Sequence, residues 1–347
     1  MFEELYSWEN LYLAYRLAAK GKRGRVAAAA FEYRLEDNLF DLQHELRDES
    51  YRPGPYQSFY IHEPKRRLIS AAPFRDRVVH HALCNLIEPI FEHSFIFDSY
   101  ANRVGKGTHR ALDRCQHFAR RYKYVLQCDV RQFFPSIDHV ILREHLAKKV
   151  HDAQMMALID QILTSGAGVL GAEYDMAWFD GDDLFAASRP RGLPIGNLTS
   201  QFWANCYLNP FDHFVKRELR CHAYLRFVDD FVLFANDKRT LNEWRAAIVA
   251  RLAKLRLTIH AGAAKPVTEG TQFLGFMVFS ERRRLLRRKA IHFGRVFRAQ
   301  MQAYTQHQLD LAAMTASVQG WVNHVRYANT TGLRKAVLMQ QRITSVA

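Results

Sequence analysis

The stretch LRFVDDFVLF at residues 225–234 places two adjacent carboxylates, Asp229 and Asp230, inside a run of apolar strand formers. Like charges side by side repel each other, and aspartate is depleted in strands. One explanation is a β-hairpin whose tight turn falls on the two aspartates, although such turns usually carry Gly or Asn. The other explanation is that doubly positive charge sits between the carboxylates. The segment alone leaves both explanations open.

The composition predicts a folded, basic protein with a polyanionic partner. The chain has 347 residues, and 49 Lys and Arg against 35 Asp and Glu give it a net charge of +14. Nucleic acid or an anionic membrane surface would suit this charge. No apolar run reaches the roughly 18–20 residues of a membrane-spanning helix, and the N-terminus lacks the order of a signal peptide. Five scattered cysteines without a CxxC pair indicate a reduced protein, so we expect a cytoplasmic location and no membrane partner.

Helical and strand patterns are interspersed along the chain, without regular βαβ alternation. Residues 8–20 and 27–49 have helical spacing, whereas YQSFYIHEPKRRLISAAP at 56–73 predicts a β-hairpin with a basic turn. Residues 165–190 are rich in Gly and Asp, which predicts a loop, and residues 197–219 predict a long helix. This order predicts an α+β fold in which a sheet is backed by helices.

A third carboxylate, Asp129, is a candidate to act together with Asp229 and Asp230. Asp129 ends the strand-like segment YVLQCD, 100 residues before Asp229. Two strands that each end in aspartate can converge on one edge of a sheet. Three carboxylates there would bind two Mg²⁺ ions, which prefer oxygen ligands and bind together with substrate phosphates. Two metals clamp the attacking and leaving oxygens of an in-line phosphoryl transfer, as in nucleic-acid polymerases.

At this point the chain resembles a reverse transcriptase over nearly all of its length. DVRQFF at 129–134 resembles the first palm motif of that family, and FVDD at 227–230 resembles its YxDD box, with Phe227 in place of the usual Tyr. The resemblance implies that Asp129, Asp229, Asp230 and the Val130 carbonyl bind two Mg²⁺ ions, with Mn²⁺ as an alternative. It also puts Phe134 at the steric-gate position, where a ring crowds a ribose 2′-OH and favours deoxynucleotides.

The block GLPIGNLTSQFWANCYL at 192–208 indicates which subgroup of reverse transcriptases the chain resembles. Group II intron reverse transcriptases carry a similar block with Gln before the second Gly and Pro after the Ser. The IGxxxSQ form here is similar to that of diversity-generating retroelement enzymes. The resemblance implies nucleotide contacts by Ile195, Gly196 and Gln201, and error-prone copying opposite template adenines. It also implies a structured template RNA and a small basic accessory protein as partners, together with the RNA/cDNA duplex and dNTPs.

The resemblance also assigns the remaining segments. It implies a right-hand fold with an N-terminal helical extension at 1–50, fingers at 51–122, a palm at 123–280 with a fingers-like insertion at about 145–190, and a helical thumb at 281–347. We expect no RNase H, endonuclease or long maturase region. The further nucleotide contacts implied are Lys65, Arg66, Arg67 and Lys265. The template and primer contacts implied are Arg75, Arg77, Arg103, Lys106, Phe227, Phe273, Leu274, Gly275, Arg287 and Arg288.

Plainer explanations exist for several of these features. Phe134 could be core packing, the 65–67 run a solvated turn, and the Arg-rich stretch at 282–289 a solvated face. Asp138 more simply caps the helix that follows it. Two rival functions share the motifs: a stand-alone bacterial reverse transcriptase in phage defence, and a catalytically inactive RNA-binding protein on the same fold. The three intact carboxylates argue against the inactive form.

Overall fold

The structure is a computed structural model that describes residues 1–62 and 66–339. The helices of these ranges are α1 (Phe2–Leu5), α2 (Trp8–Ala19), α3 (Val26–Tyr33), α4 (Leu35–Arg47), α5 (Phe74–Glu92), α6 (Thr108–Arg121), α7 (Phe133–Ser136), α8 (His139–Ala147), α9 (Ala153–Gly166), α10 (Leu198–His213), α11 (Lys238–Ala253), α12 (Arg287–Thr305), α13 (Leu311–Val325) and α14 (Thr331–Met339). A π-helical turn, Phe214–Glu218, continues α10.

The strands form a hairpin and two further antiparallel sheets. They are β1 (Gln57–Ile61), β2 (Arg67–Ala71), β3 (Tyr124–Val130), β4 (Tyr224–Phe227), β5 (Asp230–Ala235), β6 (Ile259–Ala261), β7 (Lys265–Pro266), β8 (Thr271–Phe273), β9 (Phe276–Val278) and β10 (Arg283–Leu285). The central sheet has the order β4-β5-β3-β6, with β7 also paired to β3. The small sheet has the order β10-β9-β8. The hairpin predicted at 56–73 is confirmed as β1 paired with β2.

The central sheet buries both faces because its side chains alternate along each strand. Leu126 and Cys128 face the larger core, which includes residues of α5, α8, α9 and α10. Val125, Val232 and Phe234 face a second core, which includes residues of α6, β8 and β9. By the same alternation, Gln127 and Asp129 share a face with Val125. That face is therefore apolar where α6 covers it and polar at the end that carries the aspartates.

The C-terminal helices form a third, smaller core. It includes Phe293 and Phe297 of α12 together with Met314, Trp321 and Val325 of α13. The rings of Phe293 and Trp321 stack with centroids 4.1 Å apart and planes within 2°. Strand β10 leads directly from the small sheet into α12, so this helical unit begins beside the turn between β8 and β9.

Two features of the chain differ from or extend the predicted pattern. The helix predicted at 27–49 is two helices, because Arg34 leaves the helical conformation with φ −121° and ψ 48°. The predicted cap is confirmed, since the Asp138 side chain accepts hydrogen bonds from the backbone N–H groups of Val140 and Ile141.

Among the residues described, no helix combines the length and apolarity needed to cross a bilayer.

Candidate active site

Three carboxylates meet at one edge of the central sheet. Asp129 near the end of β3 lies directly opposite Asp230, the first residue of β5. Asp229 occupies the two-residue turn that joins β4 to β5, and its carbonyl accepts a hydrogen bond from the Val130 N–H at 3.2 Å. The two central residues of the turn are Val228 and Asp229. The turn therefore lies one residue earlier in the chain than a turn formed by Asp229 and Asp230. The hairpin therefore brings both adjacent carboxylates to Asp129.

Burial and the repulsion between neighbouring carboxylates disfavour ionisation of Asp229 and Asp230. Burial, followed by the negative charge of Asp129, raises the pKa of Asp229 to about 6, while Arg67 lowers it. Burial raises the pKa of Asp230 to about 7, and the charges of Asp129 and Asp229 raise it further. The Gln127 side-chain amide opposes this by donating to Oδ1 of Asp230 at 3.1 Å. A cation at this edge would stabilise the ionised forms.

The donor set suits a hard divalent cation. It consists of the carboxylate oxygens and the carbonyl of Val130, which follows Asp129 in the chain. Mg²⁺ prefers oxygen ligands and usually keeps several bound waters. Within the described ranges, no group of three His, Cys, Asp or Glu side chains is arranged to hold a metal ion by itself. An ion at this edge would therefore need further ligands, such as water and substrate phosphates.

A cavity of about 480 Å³ opens beside Asp230. It brings together residues predicted separately from distant segments: Arg67 of β2, the β8–β9 turn at Leu274 and Gly275, and Arg288 of α12. Leu274 and Gly275 have φ of 48° and 90°, as a tight hairpin turn requires. The full lining is Arg67, Gln127, Asp230, Gln272, Leu274, Gly275, Arg288, Lys289, His292 and His324. The lining thus combines one of the carboxylates, Asp230, with the cations Arg67, Arg288 and Lys289.

Residues 195–197, just before α10, contact the β1–β2 hairpin mainly through backbone groups. The Ile195 carbonyl accepts from Ser70 N–H at 2.8 Å. Gly196 has φ +121°, and a Cβ there would lie 3.0 Å from Cγ2 of Ile69. The Asn197 side chain is buried and bonds Ala72 N–H and the Ser70 carbonyl. Gln201, one turn into α10, is exposed.

The other predicted nucleotide contacts lie in different surroundings. The Arg66 guanidinium stacks over the Tyr60 ring, 4.0 Å from its centroid. Phe134 is partly buried against the larger core, and its ring centroid is 5.5 Å from that of Phe133. Lys65 lies outside the described residues.

The backbone of Lys265 lies away from the three carboxylates, further along β3. It pairs with Val125, four residues along β3 from Asp129, which is about 13 Å of strand. The two-residue strand β7 holds the Lys265 backbone in this position. The assignment of Lys265 as a nucleotide contact stays a prediction.

Most of the predicted template-binding cations bond to other groups of the protein. Arg75 pairs with Glu45, Arg77 donates to the Ala72 carbonyl, and Lys106 donates to the Phe97 carbonyl. Arg103 is held in the same way: only 6% of its side chain is exposed, and it bonds Glu92 and two carbonyls. A buried cation must be paired in this way, so these bonds stabilise the loop around Arg103, whose assignment as a template contact stays a prediction.

Other assignments differ in burial. Phe273 is 1% exposed and its ring packs in the second core, while its assignment as a primer contact stays a prediction. Phe227 is partly buried against the same core, and Arg287 at the start of α12 is exposed.

The sequence analysis did not identify the buried polar residues that support the strand and turn next to the three carboxylates. Arg226 and Asp212 form a fully buried ion pair, with Asn205 also bonded to Arg226. The signal was present, because a lone arginine in the apolar strand YLRF needs a buried partner. Gln127 was also missed, although it lies two residues before Asp129 and therefore on the same face.

These features define a polymerase palm, and comparison with known proteins identifies the family. Residues 61–278 match the family described as reverse transcriptase (RNA-dependent DNA polymerase). The chain belongs to this family, and the predicted α+β right-hand fold is confirmed. It is 26% identical to protein YkfC of Escherichia coli over 75% of this chain and 76% of that protein.

Further relatives are similar over smaller shares of their length. The chain is 26% identical to the group II intron-encoded protein LtrA of Lactococcus lactis over 60% of this chain but only 33% of LtrA. Among solved structures, apo telomerase from Candida tropicalis matches with a TM-score of 0.46, 10% identity and coverage of 67% of this chain and 49% of that one. A partial Cas6-RT-Cas1–Cas2 complex matches with a TM-score of 0.38 and 18% identity, over 72% and 42% of the two chains.

Proposed function

We propose that this reverse transcriptase copies a template RNA into cDNA by nucleotidyl transfer at Asp129, Asp229 and Asp230. The observation that carries the proposal is the pairing of Asp129 with Asp230 across β3 and β5, with Asp229 in the adjoining turn. Two Mg²⁺ ions, or Mn²⁺, held by these carboxylates and the Val130 carbonyl would lower the barrier for attack of a primer 3′-OH on a dNTP. The carboxylates supply the negative charge that holds the ions in place.

The hairpin and the block before α10 would bind the incoming nucleotide. Arg67 lies at the start of β2, lines the cavity beside Asp230 and lowers the pKa of Asp229. Its guanidinium is suited to triphosphate oxygens. Gly196 packs closely against Ile69 of the hairpin, and the absence of a side chain would also let its backbone approach the nucleotide. Phe134 would exclude ribonucleotides by contact with the 2′-OH.

The cavity beside Asp230 would receive the primer end of the duplex. The Leu274–Gly275 turn faces it from the palm, while Arg288 and Lys289 approach from α12. These cations would bind backbone phosphates independently of sequence, so binding should weaken as salt rises.

Within the family, we propose the error-prone role of a diversity-generating retroelement. The support is the sequence IGNLTSQ, in which Ile195 stands where group II intron enzymes have a polar Gln. An apolar side chain there removes a polar contact near the templating base, which loosens selection. A structured template RNA and a small basic accessory protein are the proposed partners. Misincorporation concentrated opposite template adenines would support this role, while uniform fidelity would favour the phage-defence enzyme.

The direct test of activity is primer extension on poly(rA)/oligo(dT) with Mg²⁺ or Mn²⁺. We expect extension by the unaltered protein and none by the Asp229→Ala, Asp230→Ala double variant. Asp41→Asn, an exposed acid on α4, is the matched control and should behave as the unaltered protein. Absence of extension with either metal, also after co-expression with neighbouring genes, would favour the RNA-binding function instead.

A further inference from the structure

A fully buried ion pair lies beneath the turn that carries Asp229. The side chains of Arg226 in β4 and Asp212 in α10 have no exposed surface. Nε and Nη2 of Arg226 donate to the two carboxylate oxygens of Asp212 at 2.8 and 2.7 Å. The Tyr224 hydroxyl donates to Oδ1 of the same carboxylate at 2.6 Å. The bidentate contact therefore fixes the plane of the guanidinium.

The third guanidinium nitrogen joins this pair to the catalytic turn. Nη1 of Arg226 donates to the Val228 carbonyl at 2.9 Å and to Oδ1 of Asn205 at 3.2 Å. The backbone of Arg226 is held as well, since its N–H donates to the Asp98 carbonyl at 2.9 Å and its carbonyl accepts from Tyr100 N–H at 3.0 Å. One side chain thus links α10, the edge of the sheet and the turn.

The turn itself is strained at Val228. Its φ of +59° lies in the left-handed region, which a β-branched residue rarely adopts. Such a conformation persists only where the surrounding structure over-determines it. The bond from Arg226 to the Val228 carbonyl is one such restraint, and the bond from Val130 N–H to the Asp229 carbonyl is another. The position of Asp229 relative to β3 therefore depends on a strained residue that Arg226 holds in place.

We propose that Arg226, fixed by Asp212, is a positioning residue that keeps the strained turn in the conformation that sets Asp229 beside Asp129. The inference rests on the proposed function in that Asp229 binds the metal ions. Loss of the Arg226–Val228 bond would let the turn relax and move Asp229, so metal affinity would fall although every metal ligand is still present. Glycine at position 228 adopts positive φ without strain, so it should make the turn independent of Arg226.

The test compares Arg226→Lys, Val228→Gly and the double variant in the full chain. Lysine keeps the positive charge opposite Asp212 but loses the planar fork that reaches Val228. Mn²⁺ binding is measured by electron paramagnetic resonance without nucleotide. A metal-free readout is hydrogen–deuterium exchange at the Val130 amide. Arg283→Lys is the matched control, because Arg283 is 10% exposed and pairs with Asp113 away from the turn.

We expect Arg226→Lys to fold, to bind Mn²⁺ about 10–100-fold more weakly and to exchange the Val130 amide faster. Adding Val228→Gly should restore much of both properties, and Arg283→Lys should change neither. The inference would be overturned by unchanged Mn²⁺ affinity in Arg226→Lys, by equal losses in Arg283→Lys, by no recovery in the double variant, or by an unaltered protein that binds no Mn²⁺. Failure of primer extension with normal Mn²⁺ binding would count against the proposed function alone.

Discussion

Asp129 and Asp230 face each other directly across β3 and β5, and their charges repel. Because the folded state raises the pKa of Asp230 from its ordinary value of 3.8 to about 7, its protonated form is favoured by folding. The metal-free free energy of unfolding should therefore fall as pH rises from about 4 to about 7, by up to about 4 kcal/mol for this group. Asp230→Asn should remove this loss, so at pH 8 in chelator its Tm should exceed that of the unaltered protein. Mg²⁺ should raise the Tm of the unaltered protein more than the Tm of the Asp230→Asn variant. Equal pH dependence of the two proteins would contradict this prediction.

The Gln127 amide should set the acid limit of activity. It donates to Asp230 and lowers the pKa of that carboxyl, so Gln127→Leu should raise this pKa. The acid limb of the pH profile of primer extension should then move to higher pH, with activity near the limb lower by about tenfold. Profiles measured at saturating primer-template would show this shift, whereas a loss of equal size at every pH would mean that Gln127 acts through packing alone.

Gly196 should be intolerant of a side chain. Gly196→Ala places a Cβ 3.0 Å from Ile69 at φ +121°, which should reduce the free energy of unfolding by about 1–3 kcal/mol and raise the KM for dNTP. Gly320→Ala is the control, because no atom lies within 4 Å of the added Cβ in α13. That change should stabilise the protein by about 0.5–1 kcal/mol. Denaturant unfolding measures the free energy of unfolding of both variants. Similar effects of the two substitutions would contradict the prediction that a side chain at position 196 clashes with Ile69.

Phe134 should determine the choice of sugar. Phe134→Ala should increase the use of rGTP relative to dGTP by about tenfold or more, since one steric contact is worth that much discrimination. Single-nucleotide incorporation with each substrate measures the ratio of kcat/KM. The partly buried ring also packs against the core, so thermal melting should accompany the kinetics. If the ratio stays constant while the Tm falls, Phe134 is a packing residue.

The cations of α12 should account for part of the salt dependence of duplex binding. Replacing Arg288 and Lys289 by Ala should reduce the slope of log Kd against log salt by about one per residue. Arg239→Ala on the exposed surface of α11 should leave the slope unchanged. Fluorescence anisotropy with a labelled RNA/DNA duplex would measure it, and equal slopes in all three proteins would remove α12 from the interface.

The sequence predicted those parts of the fold and site that depend on local pattern. The positions of Asp129 and Asp229 at the ends of two strand patterns were sufficient to predict that they converge on one edge of the sheet. The register of β7, which keeps Lys265 away from the carboxylates, depends on pairing between segments 140 residues apart and leaves no local signal. The burial of Arg103 depends likewise on Glu92 and on carbonyls supplied by the folded loop. The break at Arg34 arises within a run that favours helix on both sides.

Leu285, at the end of β10, packs against both the second core of the palm and the core of the C-terminal helices. The two cores otherwise consist of separate sets of buried residues among those described, so each should unfold as its own cooperative unit. Substitutions in one core should then add to substitutions in the other. Leu285 joins the two cores, as does the contact between the rings of Phe276 and His324, whose centroids are 5.1 Å apart, so the size of the Leu285 side chain should affect the angle between the C-terminal helices and the cavity.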